Sequence, residues 1–294
     1  MTDALFPDNP TPTPRVVSTS PSGTEICYAL GIEPVAVSHA CDFPPAVESR
    51  PVIDRSRVSG ETSAARHTSV TKSRREGGVY ELDTSLLESC RPDLILSQSV
   101  CGVCAVDEAF VRDTLGETSS EVLGLNARTL DDVFECVMQV GEATGRNKRA
   151  KAVVDHCRQR LAEIANPVPE SRPRAAVIEW MDPLHVSANW VPDIVAAAGG
   201  AYGLAESGER SVSLDWSRLR EYDPAVLIVS PCGMDPDETR AHLSELTTRS
   251  GWDEFTAVRT DRVHVLDGTI LNRWTPRLVE LAETVSNLLH PTPS

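Results

Sequence analysis

The chain has 294 residues, of which 40% are hydrophobic and 24% charged, a composition that suits a globular protein with room for two cores. Its formal net charge of -15 excludes general affinity for nucleic acid or an anionic membrane surface, since both need a basic face. Lysine occurs only at Lys72, Lys148 and Lys151, and so acidic a surface hints at a halophilic, high-salt cytoplasm where screening tolerates dense carboxylates.

The opening Met1-Thr2-Asp3-Ala4-Leu5-Phe6-Pro7 has neither a basic n-region nor an apolar h-region, and no later run reaches membrane-spanning length. A cytoplasmic location is the expectation; the alternative is the cell surface, with an N-terminus truncated in this sequence. In a reducing compartment the eight cysteines read as free thiols or metal ligands rather than disulfides.

Residues 1–14 read as a proline-rich, disordered tail. Residues 15–19 form a short apolar strand, followed by a helix that ends at Gly31, with Ser22 and Glu25 spaced as a capping box. Strands over 35–38, 94–97 and 122–125 alternate with helices over 83–90 and 106–115, the order of a parallel sheet covered by helices. The polar stretch 54–78, with Lys72, Arg74 and Arg75, reads as a solvated, mobile loop placed as a flap. From 129 to 165, Leu130, Val133, Val137, Val140, Val153, Cys157, Leu161 and Ile164 recur at helical spacing. One continuous helix there would span about 55 Å and act as a rigid strut.

The second half starts again: strands over 175–179, 226–230 and 263–266, and helices over 192–198, 214–222, 236–247 and 276–289. The expected fold is therefore α/β, with two Rossmann-like lobes of parallel sheet joined by one long rigid helix. Its divisions are 15–128, the connecting helix 129–166, and 173–290. The halves echo each other, since Pro92–Ser97 precedes Cys101-Gly102 as Pro224–Ser230 precedes Cys232-Gly233.

Ligands of open α/β sheets bind outside the carboxyl ends of the strands, in a crevice. The residues just past those ends are His39, Cys41 and Asp42; Gln98, Cys101 and Cys104; Trp180; Cys232; and Asn272 to Trp274. Four thiols at Cys41, Cys101, Cys104 and Cys232 would suit zinc or an iron–sulfur cluster, or they are small buried hydrophobes. His39 reads either as a metal ligand or as a satisfied polar residue at a strand end. Trp180, Trp190 and Trp274 read as an aromatic clamp or as core packing, and Arg273 as a partner for a ligand carboxylate or for a protein acid. No phosphate loop, His-Glu-x-x-His or Gly-x-Ser-x-Gly motif occurs, which argues against an enzyme.

The run Val16-Val17-Ser18-Thr19-Ser20-Pro21-Ser22-Gly23-Thr24-Glu25, then Ala29-Leu30-Gly31, resembles the opening of the substrate-binding proteins of cobalamin and iron–siderophore ABC transporters. Pro92-Asp93-Leu94-Ile95, the mid-chain helix and Asp261-Arg262-Val263 fit the same pattern. His39-Ala40-Cys41-Asp42-Phe43-Pro44 and Trp190-Val191-Pro192 resemble the cobalamin-binding branch. The resemblance implies a binding protein for a corrinoid or another metal-bearing ligand, held in an interlobe cleft by Ser22, His39, Gln98, Trp180, Trp190 and Arg273. It implies an ABC permease as partner if the chain is exported. The alternative expectation is a cytoplasmic metalloprotein whose cleft cysteines hold an iron–sulfur cluster or zinc, with redox activity.

Overall fold

The computed structural model describes residues 13–76, 78–98, 108–115, 120–166 and 171–291; the expected tail lies almost entirely outside them. The chain divides into two compact units. The first comprises Met1–Ser59, Ser69–Ala127 and Asp131–His156, the second Gly60–Thr68, Arg128–Leu130 and Cys157–Ser294.

In the first unit the elements run β1 (Val16–Ser18), α1 (Pro21–Ala29), β2 (Ala36–Val37), β3 (Asp54–Ser56), α2 (Ser63–Arg75), β4 (Tyr80–Leu82), α3 (Thr84–Cys90), β5 (Leu94–Gln98), α4 (Glu108–Leu115), β6 (Glu121–Leu125), α5 (Leu130–Ala143) and α6 (Asn147–Ile164). Three of these cross the division: residues 63–68 of α2, Leu130 of α5 and residues 157–164 of α6 count with the second unit. Strands β2, β1, β5 and β6 form one parallel sheet in that order. Every residue of β1, β2 and β5 is buried, because a sheet covered on both faces leaves no polar side and its strands read as apolar runs. Val17, Ala36, Ile53, Leu87, Ile95, Val111 and Val122 make the core on one side.

The second unit continues with β7 (Ala175–Trp180), β8 (His185–Val186), α7 (Val191–Ala197), β9 (Val212–Ser213), α8 (Trp216–Tyr222), β10 (Val226–Val229), α9 (Pro236–His242), α10 (Ser244–Thr247), α11 (Thr256–Arg259), β11 (Val263–Val265), α12 (Gly268–Leu271) and α13 (Leu278–Leu289). Its sheet has the order β11-β10-β7-β8-β9, parallel over the first three strands and antiparallel at the β8–β9 edge. Ile178, Met181, Leu219, Leu227, Val229, Leu246 and Phe255 fill its core.

The expected α/β class with parallel sheets holds, and three local expectations do not. The helix expected over 129–165 is two helices. Gly145, at φ +70°, sits just past α5; its N–H bonds to the Glu142 carbonyl and that of Arg146 to Gly141. These are the two bonds of a Schellman stop, and only a residue that tolerates the left-handed region can close it cheaply. Helical periodicity resumes at once in α6, so the pattern alone could not expose the break.

The capping box is also displaced. Ser20, not Ser22, is the N-cap of α1, its side chain accepting from the Gly23 N–H at 3.2 Å. Pro21 occupies the first helical turn, where its missing N–H is harmless, so the cap falls one residue ahead of it. Ser22 lies within the helix.

Finally, the stretch 54–78 is structured as β3 and α2. Its mean hydropathy is low, but Lys72, Arg74 and Arg75 lie in the last turn of α2, where positive charge suits the helix dipole. Four contacts hold residues 60–68 within the second unit. Trp180 Nε1 donates to the Ser63 carbonyl at 3.2 Å, and the Ser63 N–H donates to Glu245 Oε1 at 3.2 Å. Arg66 pairs with Glu238 at 2.5 Å, and the His67 and His185 rings stand 6.1 Å apart.

The buried thiols generate a prediction. Burial pushes Cys27 far above the ordinary thiol range, with Cys41 nearby adding to the effect. It raises Cys136 to about 12 and Cys157 to about 11. Only about one Cys157 in a thousand is then thiolate at pH 8, and thiolate is the reactive form. Among the described cysteines, alkylation under native conditions, mapped by mass spectrometry, should therefore label the half-exposed Cys41 and Cys232 first. Cys27, Cys136 and Cys157 should label only on unfolding.

Candidate functional site

The first sheet delivers a set of buried polar residues to its carboxyl edge: Ser18, Thr19, Ser20, Ser38, Ser97 and Gln98. They are buried because the chain supplies partners locally. Thr19 donates through both its N–H and its hydroxyl to the Leu96 carbonyl, at 2.9 and 3.2 Å, and the Ser18 hydroxyl donates to the Ser20 carbonyl at 2.9 Å. The turn into α1 lies so close to β1 that a Cβ on Gly23 would stand 2.9 Å from Ser18 Oγ. A larger residue would have to push this edge apart.

His39 leaves the end of β2 on this edge. Residues 51–53 run beside β2, with Val37 bridged to Val52 in parallel and the Ile53 N–H bonded to the Val37 carbonyl. That register sets Asp54 beside Ser38 and His39. Asp54 Oδ1 accepts from Ser38 Oγ at 3.0 Å and from the His39 N–H at 2.7 Å, and stands 2.6 Å from His39 Nδ1. The Asp54 side chain is wholly buried, while the imidazole is 32% exposed and lies 5.7 Å from the Tyr80 ring. His39 Nε2 makes no hydrogen bond among the described residues. A buried acceptor on one ring nitrogen and an accessible ring beyond it is the arrangement that orients histidines for ligation.

The same loop continues to Cys41, whose Sγ is 3.2 Å from Thr24 Oγ1, and to Phe43, which is 40% exposed. Gln98 ends β5 opposite Leu125 and is buried. Asp54 also lines a polar groove of about 440 Å³, where Arg55 and Glu81 already pair at 2.6 Å. Asp54 escaped the sequence reading because it sits at the start of a strand, in a polar stretch, fifteen residues from its partner. The parallel pairing of 51–53 with β2 is the signal that would have found it.

In the second unit, Trp180 ends β7 half-buried, its indole N–H shared between the carbonyls of Ser63 and Asp182 at 3.2 and 3.1 Å. Trp190 is only 5% exposed, and its indole donates to the Leu271 carbonyl at 3.0 Å. The Trp274 ring is buried as well. Arg273 is buried on the turn after α12. The Cys232 N–H bonds to the Glu179 carbonyl at 3.1 Å, and the Glu179 side chain accepts from Ser211 Oγ at 2.6 Å.

Cys101 and Cys104, half of the expected thiolate set, lie outside the described residues. Among the described residues no group of three or more His, Cys, Asp or Glu side chains is placed to hold a metal ion. No helix among them is long and apolar enough to cross a membrane.

Polar side chains gathered at the carboxyl edge of a parallel sheet mark the place where open α/β folds take up their ligands. The chain belongs to the periplasmic binding protein family, whose model matches residues 16–269. It is 25% identical over 288 residues to an uncharacterized ABC transporter substrate-binding lipoprotein of Bacillus subtilis, covering 94% of this chain and 80% of the relative. It is 24% identical over 285 residues to the vitamin B12-binding protein of Vibrio cholerae, covering 95% and 90%. Among solved structures, Staphylococcus aureus IsdE complexed with heme has the same fold, with a TM-score of 0.73 and 16% identity over 94% of this chain and 99% of that one.

The placement of Trp190 predicts a stability effect. Trp190→Ala removes a buried indole and leaves the Leu271 carbonyl without its donor, so it should cost about 3–5 kcal/mol in denaturant unfolding. A loss below about 1 kcal/mol would show that the ring does not pack as described.

Proposed function

We propose that this protein binds a corrinoid of the cobalamin type at the carboxyl edge of its first parallel sheet. The observation that carries the reading is the loop 39–44, which offers an oriented imidazole at His39 and an exposed phenylalanine at Phe43. A metal-bearing macrocycle has the two matching features, a broad apolar face and a metal that accepts nitrogen ligands. A relative named as a vitamin B12-binding protein supports this choice, and a fold relative complexed with heme supports a metal-bearing macrocycle more generally.

Titration of purified protein with aquacobalamin, cyanocobalamin and hemin, followed by calorimetry, tests the reading. Saturable binding of one corrinoid per chain, tighter than that of hemin, is the expected result. Preference for hemin would replace the corrinoid, and binding of neither would remove the reading.

The Bacillus relative is named as an ABC transporter component, and delivery of the bound corrinoid to an ABC permease is the role that follows. Fractionation of the native host is the check. Recovery at the cell surface is the expected outcome of a transport role; recovery in the cytosol would instead make the protein an intracellular corrinoid receptor.

A further inference from the structure

We propose that His39 is an axial ligand, its Nε2 taking a coordination position on the cobalt of the bound corrinoid, with Asp54 as the residue that positions the ring. This rests on the corrinoid reading above and adds a bond to it. Asp54 Oδ1 already accepts from the Ser38 hydroxyl and the His39 amide, so its 2.6 Å contact with Nδ1 is a third donated bond, with the proton on Nδ1. In a neutral imidazole the lone pair then sits on Nε2, the nitrogen without a hydrogen bond. Hydrogen bonding of the second nitrogen to a carboxylate fixes the ring and makes the first a stronger donor to metal.

A second observation points the same way. Asp54 Oδ2 is buried and has no hydrogen-bond partner, which is costly for a carboxylate whose only ion-pair contact among the described residues is with the imidazole of His39. Positive charge on a metal across the imidazole compensates it. The tilted Tyr80 ring beside His39 packs the imidazole from one side and limits its rotation.

The step is a ligand substitution. The cobalt–water bond of aquacobalamin breaks, a cobalt–nitrogen bond to Nε2 forms and water leaves, with no change in oxidation state and no proton transferred. Cyanocobalamin, whose cyanide holds that position, serves as the control.

Visible absorption of the protein–aquacobalamin complex reads the bond directly, with aquacobalamin plus free imidazole as the standard. The wild-type complex should match the imidazole-ligated standard. His39→Ala should bind aquacobalamin and keep the water-ligated spectrum, and free imidazole added to that complex should restore the shift. Asp54→Asn keeps an oxygen acceptor beside Nδ1, and it should retain the shift with affinity about 10–100-fold weaker. A water-ligated spectrum in the wild-type complex, or a persistent shift in His39→Ala, overturns the ligation while leaving the corrinoid reading intact. Failure to bind any corrinoid overturns both.

Discussion

In the first unit a buried carboxylate, Asp54, ties two segments of chain together. The Asp54 side chain has no solvent exposure, and its partners come from a single turn, Ser38 and His39. A buried acceptor is tolerated only when donors converge on it, so the ends of β2 and of the 51–53 segment are held in one register. The direction of the imidazole follows from that register, and so does the point at which the loop 39–44 leaves the sheet. The polar edge built by Ser18, Thr19 and Ser20 depends on a similar economy, with each hydroxyl or amide bonded within the same turn or the neighbouring strand.

How far the fold was legible depends on the periodicity of each segment. Buried parallel strands such as β5 and β10 are short apolar runs bounded by turn residues, and they stand at their expected positions. The edge strands β8 and β9 have two residues each and β9 is exposed, so nothing in their composition separates them from loop. The polar helix α2 carries almost no apolar face; tertiary contacts such as Trp180 to Ser63 and Arg66 to Glu238 hold its start, and these are invisible to a local window. A glycine within a helical pattern is ambiguous in the same way, because Gly141 continues α5 whereas Gly145 ends it.

The candidate site was legible in part. Position past a strand end pointed to His39, which leaves the end of β2, and the same rule gathered Gln98, Trp180 and Cys232. It could not rank them, because position says nothing about hydrogen-bond partners. Trp190 and Trp274 show why: each is close in sequence to a strand or helix end, yet each is buried. Asp54 illustrates the opposite failure, since a residue that decides the ring's orientation carries no motif of its own.

The second unit is assembled from three separate pieces of chain, and the smallest matter for how it is made. Residues 60–68 leave the ribosome long before their partners, with 117 positions between Ser63 and Trp180 and 182 between Ser63 and Glu245. The C-terminal fragment from Cys157 onward would therefore lack the Ser63 amide and the Arg66 guanidinium, leaving Glu245 and Glu238 without these partners. The boundary that sequence alone draws near residue 173 leaves residues 60–68 on the other side of it from these partners. During vectorial synthesis the early strip must wait for its first partners until Trp180 and His185 have emerged, and for Glu238 and Glu245 longer still.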